Sequence, residues 1–346
     1  RGLGDVYKRQ THASIGAAAP VLLVLLRLVQ GFAAGGEWGG AALFGIEVAP
    51  TGRRGLWGSF TSMGIGIGGI FGSAVFAIVS VAFDDDLSGI AWRIPFWLGG
   101  LLVLIGLYAR LQNSAPQPKA APHTEARMPL MQAFRRRPRE LLLCIGIAFG
   151  YVTIAYIGST FFLAYATDIG YSSSHALLFD FSLSVAIVAS APFFGHLSDR
   201  FGRRAVMIFG AAIMALGLFA FFPLIGLHSL PLALLAYVAV GFFMGATQGP
   251  IPAFLAEQFP REMRYSGISF SYQIGAALGG GTASSIATAI LIATGRNPFG
   301  VALYGAAALL LVAVCSWLLR ETSRLPMDVI DRDDAAPDAV SVQAIN

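Results

Sequence analysis

Three polar residues near the start of the chain, with an alanine between them, share helical spacing inside an apolar stretch. Arg27, Gln30, Ala34 and Glu37 follow at i, i+3, i+7 and i+10, which keeps them within an arc of about 80° on one helix face. Arg27 and Glu37 lie about 15 Å apart along such a helix, too far to pair. An ionisable group at bilayer depth costs at least about 2.5 kcal/mol and marks a pathway or a proton relay. We therefore expect Glu37 to exchange a proton and Arg27 to hold an anion or a partner acid. The alternative is that Glu37 hydrogen-bonds a neighbouring helix and Arg27 braces one.

A second set of polar side chains is scattered through other apolar stretches. Polar groups that converge on a central cavity set the specificity of a binding site. Each can equally form a hydrogen bond between helices, and this alternative stays open. The candidates are Tyr151, Tyr156, Asp180, Gln248, Tyr272 and Gln273.

Several classes of protein are excluded by what the sequence lacks. Its two cysteines lie in apolar stretches and its five histidines are scattered, so no metal site is expected. No Walker loop, dinucleotide fingerprint or nucleophile triad is present. We expect no cofactor and no enzyme activity. The net charge of +4 comes from basic residues between apolar segments, so nucleic-acid binding is not expected.

The elements that position these residues are apolar segments about 20 residues long. The sequence is 56% hydrophobic and 12% charged, against about 25% charged in soluble proteins. Segments of this length cross about 30 Å of hydrocarbon. The predicted spans are 20–48, 56–82, 92–111, 140–166, 175–196, 204–224, 231–257, 265–293 and 298–320.

Basic residues occur in alternate loops along the whole chain. Cytoplasmic loops carry the excess of Lys and Arg. The linker at 112–138 and the C-terminus are therefore expected on the cytoplasmic side. The basic loop residues fall within 53–54, 119–139, 200–204, 261–264 and 320–324.

An internal repeat relates the two parts of the chain. A shift of 210 positions places Gly31 on Gly241 and Glu47 on Glu257. The same shift places Arg54 on Arg264. Parallel repeats of this kind build the two halves of many transporters. Ion pairs that form and break as the halves move would need such Glu–Arg sets, although plain helix ends are an equal alternative.

Small residues also recur every four positions, which predicts close approach of helix backbones. One such stripe is Gly64, Gly68 and Gly72, and another runs from Gly267 to Ala287.

The repeat predicts the domain boundaries. We expect a remainder of a first bundle at 11–111, a linker at 112–138, a second bundle at 139–323 and a disordered tail at 324–346. Residues 1–10 match neither a span nor a signal peptide and are expected to be non-native. Six predicted spans follow the linker and only three precede it. Three spans are therefore expected to be missing before the remainder of the first bundle.

Five segments resemble the metabolite:proton symporter family of the major facilitator superfamily. They read RLVQGFAAGGEWGG at 27–40, EVAPTGRRG at 47–55, WRIPF at 92–96, GHLSDRFGRR at 195–204 and FPREMRYSGI at 259–268. The resemblance covers residues 11–323. It implies an all-α membrane fold of two pseudo-symmetric six-helix bundles, of which about nine of twelve helices are present. It also implies uptake with protons of organic acids such as shikimate, 2-oxoglutarate and citrate, or of zwitterions such as proline and betaine.

In such families the aspartate of the GHLSDRFGRR loop caps a helix or pairs with an arginine in one conformation, and so gates the pathway. The gating candidates that the resemblance and the repeat supply are Gly195, Asp199, Arg200, Gly202, Arg203, Arg204, Glu47, Arg54, Glu257 and Arg264.

These patterns together predict a proton-coupled symporter in a bacterial inner membrane, working by alternating access as a monomer. Its expected partners are a small metabolite, protons and the lipid bilayer. The alternative is a membrane sensor that keeps the fold and reports a solute without moving it. A visible signalling motif would favour that reading, and the sequence has none.

Overall fold

The computed structural model describes residues 18–83, 91–112 and 129–332. These residues form helices joined by short loops, and no strand occurs among them. Eight of the helical segments are long and apolar enough to cross a membrane. The all-α membrane fold that the sequence predicted is thereby confirmed.

The first three predicted spans correspond to α1 (Ala18–Glu47), α2 (Arg54–Ala82) and α3 (Ile94–Gln112). Between α1 and α2, Pro50 cannot continue the hydrogen-bonded ladder. Gly52 follows at φ +76°, a conformation that glycine adopts without a steric penalty. The chain can therefore turn sharply before Arg54.

The next span begins at a proline and is interrupted once. A short helix α4 (Pro129–Arg136) precedes α5 (Pro138–Tyr156), and Pro138 occupies the first turn, where no N–H is needed. A π-helical turn at Ile157–Phe161 joins α5 to α6 (Phe162–Asp168). Such turns widen the helix locally. The whole of 138–168 crosses as one span.

The remaining predicted spans are each found within a few residues of their expected bounds. They are α7 (Ser173–Phe201), α8 (Arg203–Gly226), α9 (Leu230–Gln248) with the short α10 (Ile251–Ala256), α11 (Arg261–Ala293) and α12 (Phe299–Leu318).

Small residues let α11 pack directly on α5. A Cβ added at Gly275 would lie 2.5 Å from the Cβ of Ala148, and one at Gly279 would meet the carbonyl of Phe149. This stripe is confirmed as a packing surface. A Cβ at Gly64, Gly68 or Gly72 meets no atom of the described chain within 4 Å. Among the described residues, the prediction that the Gly64–Gly72 stripe packs against another helix is therefore wrong.

The chain divides into two compact units. One comprises residues 1–34 and 70–126, and the other comprises residues 35–69 and 127–346. The second unit holds all the contacts described below. The bundle boundaries expected from the repeat stay a prediction, and residues 1–10 and 113–128 lie outside the described residues.

The tail expected at 324–346 is ordered in its first part. Helix α13 (Met327–Arg332) follows α12, and the Ile330 side chain is 7% exposed. The prediction of disorder is wrong for 324–332, because an acidic, aperiodic composition does not show the tertiary partners that these residues find. The rest of the tail, 333–346, lies outside the described residues.

Candidate functional site

A one-residue turn joins α7 to α8. Gly202 lies at φ +103° and ψ +149°, a region that is essentially restricted to glycine. A Cβ at this position would lie 2.8 Å from a carboxylate oxygen of Glu321. The turn brings the last helical turn of α7 and the first of α8 together, so Asp199 and Arg203 pair with Nη1 to Oδ1 at 2.7 Å.

Asp199 also caps the start of α2. Its Oδ1 accepts a hydrogen bond from the Gly55 N–H at 2.8 Å, and its Oδ2 accepts one from the Leu56 N–H at 2.9 Å. The first N–H groups of a helix have no partner within the helix. A carboxylate at this end is further stabilised by the helix dipole. An aspartate of the second repeat therefore caps the start of a helix of the first repeat.

Two glycines allow this approach. A Cβ at Gly55 would lie 2.5 Å from the carbonyl oxygen of Gly195, and a Cβ at Gly195 would lie 2.7 Å from the carbonyl oxygen of Gly55. Any larger residue would push α2 away from α7. The geometric role of Gly195 is thus to let Asp199 reach the α2 backbone.

Arg203 connects Asp199 to Glu257. Its guanidinium is fully buried and donates from Nη2 to Glu257 Oε1 at 3.2 Å and from Nε to Glu257 Oε2 at 3.4 Å. Glu257 also accepts from Arg54 Nε at 3.3 Å and from the Thr322 hydroxyl at 2.6 Å. We call Asp199, Arg203, Glu257 and Arg54 the charge cluster.

The charge cluster is buried and balanced. The side chains of Arg203 and Glu257 are fully buried, and those of Asp199 and Arg54 are 3% and 9% exposed. Two carboxylates face two guanidinium groups, so no net charge is buried. Removing one partner from such a buried pair costs about 3–5 kcal/mol, because the other charge is left uncompensated. The four residues are therefore stable in this position only as a set.

The segment after α12 closes over the charge cluster. We call residues 319–332 the strap. Arg54 Nη2 donates to the carbonyl of Leu325 at 2.6 Å and to those of Thr322 and Ser323 at 3.3 Å. Its Nη1 lies 2.8 Å from the Met327 sulfur. Arg54 thus holds both the cluster and the strap.

Two acids of the strap cap further helices. Glu321 accepts from the backbone N–H of Arg203 at 3.0 Å and of Arg204 at 2.9 Å, at the start of α8. Asp331 accepts from the Arg261 N–H at 3.1 Å and from Arg264 Nη2 at 2.6 Å, at the start of α11. The starts of α2, α8 and α11 are each capped by a carboxylate from another element.

The contacts of Glu321 also change its acidity. Burial alone would raise the pKa of this carboxyl, but hydrogen bonds from the backbone of Arg204, Arg203 and Ser323 lower the pKa below its ordinary value of 4.5. Glu321 is therefore held in its charged form at neutral pH.

The structure places the other predicted gating residues apart from the charge cluster. Arg200 is exposed, while Arg204 donates to the carbonyl of Trp317 at the end of α12. Glu47 is exposed and forms no ion pair with the described residues. The repeat left the partners of its Glu and Arg residues open, and in the structure Glu257 pairs with Arg54 and Arg203 while Arg264 pairs with Asp331. A sequence repeat gives equal positions, but each half meets a different neighbour.

The predicted pathway residues fall into two groups. Tyr151, Gln248 and Tyr272 are buried, and Asp180 and Gln273 are half-buried. Gln30 and Glu37 are exposed, as is Tyr156 at 47%. The face carrying Gln30 and Glu37 was expected to be covered, and the described residues do not cover it. The side chain of Arg27 lies outside the described part of the chain.

Tyr272 is the centre of a polar and aromatic group. Its ring stacks on Trp38 with centroids 3.6 Å apart. Five buried side-chain polar atoms have no hydrogen-bond partner among the described residues, and the Trp38 Nε1 and the Gln248 Oε1 are two of them. Buried polar atoms are satisfied in most native proteins.

Several residues of the site were missed from the sequence. Trp38 lies in the motif next to Glu37 but was interpreted only as part of the resemblance. The strap residues Glu321, Thr322 and Asp331 were treated as the end of a span and a tail. Glu321 directly follows the last predicted span, 298–320. An acid is unfavourable at the C-terminal end of its own helix and favourable at the start of another, and this was the available signal.

Residues 12–179 and 143–343 match the family model described as Major Facilitator Superfamily. The chain is 35% identical over 314 residues to the inner membrane metabolite transport protein YhjE of Escherichia coli K12, covering 88% of this chain and 71% of that protein. It is 33% identical over 327 residues to the shikimate transporter of the same organism, covering 91% and 74%.

Two further similarities extend this set. A proline/betaine transporter of Salmonella typhimurium is 31% identical over 290 residues, covering 78% of this chain and 57% of that protein. A crystal structure of a double-tryptophan mutant of XylE superposes with a TM-score of 0.65 at 18% identity, covering 83% of this chain and 68% of that one. At this identity the last similarity concerns the fold alone.

Proposed function

Because the chain belongs to the major facilitator superfamily, we propose that it is a secondary active transporter that takes up a small organic acid or zwitterion together with protons. It is a multi-pass membrane protein with apolar helices throughout. The substrate class is supported by relatives named for metabolites, shikimate and proline or betaine. A bacterial inner membrane, with the linker and the C-terminus in the cytoplasm, is the location that the basic loops favour.

The charge cluster is the observation that carries this proposal. It ties the start of α2, from the first repeat, to α7, α8 and the end of α10, from the second. A carrier that opens alternately to each side needs contacts of this kind that form in one state only. Opening this end requires Asp199 to release the α2 backbone and Arg54 to leave Glu257. The cluster acts as the gate of this side.

The substrate contacts are proposed around Tyr272. The stacked pair of Tyr272 and Trp38 supplies an aromatic wall, and the Trp38 Nε1 is a donor without a protein partner. The Gln248 Oε1 is a buried hydrogen-bond acceptor that also has no partner among the described residues. A carboxylate or an ammonium group of a small metabolite would satisfy these atoms. Arg27 is a separate proposal for holding an anionic group of the cargo or a partner acid, and it rests on the sequence of the first apolar segment and not on these contacts.

The coupling proton is proposed to use a carboxyl within a span. Glu37 on α1 and Asp180 on α7 are the two candidates with a carboxyl in an apolar helix. Asp180 is half-buried, so a proton on it would be partly shielded from water. Protonation would neutralise the carboxylate, so no charged acid would face the apolar interior while the carrier changes conformation.

Uptake into proteoliposomes tests the transport proposal. The purified protein is supplied with radiolabelled shikimate, citrate, proline or betaine under an inward proton gradient. We expect accumulation of one cargo class that a protonophore abolishes. Accumulation that persists with the protonophore and follows a sodium gradient would remove proton coupling. Binding of a solute without any accumulation would support the sensor instead.

A further inference from the structure

A basic pocket lies beside the strap, apart from the proposed substrate contacts. It is a cavity of about 410 Å³ where α5 and α8 begin and α12 ends. We define the basic pocket by its four arginines, Arg137, Arg139, Arg204 and Arg320. Its volume lies within the range of about 300–1,000 Å³ that small ligands occupy.

The basic pocket carries an excess of positive charge. Its lining includes two acids, Glu140 and Glu257. Glu257 is already compensated, since its carboxylate pairs with Arg54 and Arg203. Glu140 lies 3.9 Å from Arg137. Arg139 and Arg204 form no ion pair with the described residues, so their two charges leave a positive potential inside the cavity.

Two of the arginines are held in place by the end of α12. Arg139 Nη2 donates to the carbonyl of Leu318 at 3.1 Å, and Arg204 Nη2 donates to that of Trp317. A cation at a helix C-terminus is stabilised by the dipole. A carbonyl accepts a hydrogen bond but does not neutralise a charge. The two guanidinium groups are thus pre-oriented and keep their charge for an anion.

The surroundings of the basic pocket indicate the kind of anion. Trp317 is 63% exposed at the rim, and Leu142 on the neighbouring α5 is 66% exposed. Exposed Trp and Leu at the ends of membrane helices lie among lipid headgroups and acyl chains. Guanidinium groups bind phosphate through two parallel hydrogen bonds. Arginines at this depth also attract anionic lipids.

We propose that the basic pocket binds a phosphate group, supplied by an anionic phospholipid headgroup or by a soluble phosphate. Thr322, Leu325 and Ile330 of the strap form one wall, and Glu257 of the charge cluster contributes to it. An anion here bridges the strap to α5 and α8. Occupancy therefore stabilises the strap over the charge cluster, whatever cargo the protein carries.

The test compares two double variants of equal charge change. Arg139→Gln with Arg320→Gln removes two arginines of the basic pocket. Arg53→Gln with Arg261→Gln removes two exposed arginines from the ends of neighbouring helices outside it. Each purified protein is assayed by native mass spectrometry for retained phosphatidylglycerol against phosphatidylcholine. Thermal unfolding is then followed in detergent with inorganic phosphate or glycerol phosphate.

A lipid headgroup as ligand predicts that the pocket variant binds phosphatidylglycerol at least about tenfold more weakly than the wild type. The control variant should then match the wild type. A soluble phosphate as ligand predicts that phosphate stabilises the wild type and the control but not the pocket variant, with lipid retention unchanged. Equal behaviour of all three proteins towards both probes overturns the proposal.

Two further variants control for the effect of charge and for a failure to fold. Arg139→Lys with Arg320→Lys keeps the charge and removes the paired hydrogen bonds, so it should lose most of the selectivity for phosphate over chloride. Should the double glutamine variant not fold, Arg320→Gln alone replaces it, because that side chain is exposed. An Arg320→Gln protein that binds both probes like the wild type counts against the proposal.

Discussion

Glu257→Gln should open the end of the protein that the charge cluster closes. The carboxylate accepts from Arg203 at 3.2 and 3.4 Å, from Arg54 at 3.3 Å and from Thr322 at 2.6 Å. Glutamine keeps the shape and removes the charge, so two guanidinium groups face one remaining carboxylate in a buried site. The penalty is about 3–5 kcal/mol. At about 1.4 kcal/mol per factor of ten, the closed state loses roughly two to three powers of ten in population.

Thiol labelling measures this population. Ser62 on α2 is 2% exposed, and its hydroxyl donates to the Gln248 carbonyl at 2.9 Å. A cysteine at this position reacts with a maleimide when α2 separates from α9. The native Cys144 and Cys315 are buried and are replaced by alanine in the same background. The labelling rate should rise by about a hundredfold with Glu257→Gln, until the open state predominates.

A matched control and a double variant decide between mechanisms. Glu262→Gln removes an exposed carboxyl from the start of α11 and should leave the rate unchanged. Adding Arg203→Gln to Glu257→Gln removes the uncompensated charge and should recover part of the closed population. Equal labelling of the Glu257 and Glu262 variants would refute a gate built on charge. The charge gate would also be refuted if the labelling rate of the double variant rose by more than the product of the two single-variant increases.

Three other predictions test separate parts of the structure. Gly202→Ala should lower the free energy of unfolding by about 1–3 kcal/mol because of the backbone conformation, whereas Gly226→Ala, where a Cβ meets no atom, should not. The second concerns Glu321→Gln. A carboxyl whose pKa is lowered on folding stabilises the protein above its unfolded pKa of about 4.5 and loses that stabilisation as the pH falls through its lower folded value. The difference in thermal stability between wild type and variant should therefore be largest near pH 7 and shrink in acid, and a constant difference would contradict the assignment. In the third, Asp180→Asn and Glu37→Gln are compared in uptake assays, and the variant that exchanges cargo but no longer accumulates it identifies the coupling carboxyl.

The helices could be predicted from the sequence because the bilayer fixes their length and composition. Apolar runs of about 20 residues leave little choice of structure. The predicted segment 204–224, for instance, is found as Arg203–Gly226. The capping role of Asp199 was implied by the family resemblance of the GHLSDRFGRR segment and not by its spacing.

The partners of each charge could not be predicted in the same way. The repeat singled out Glu47, Arg54, Glu257 and Arg264 without assigning partners, and the structure pairs Glu257 with Arg54. Pairing depends on which helices meet, which spacing along one helix does not record. The strap was missed for the same reason, because Asp331 is stabilised by Arg264, 67 residues away.

The distribution of contacts within the charge cluster makes reversible opening feasible. Asp199, Arg203 and Glu257 all belong to the second repeat and stay paired when α2 leaves. Arg54, the backbone N–H groups of Gly55 and Leu56, and the hydrogen-bonded pair of Ser62 and Gln248 lose their partners, and each of these groups reaches water as the gate opens. Capping bonds are worth about 0.5–2 kcal/mol each, and a charge that becomes hydrated escapes most of the burial penalty. The sum stays near the roughly 5.5 kcal/mol that a ligand must supply to invert a two-state equilibrium, so binding of cargo and proton can drive the gate in both directions.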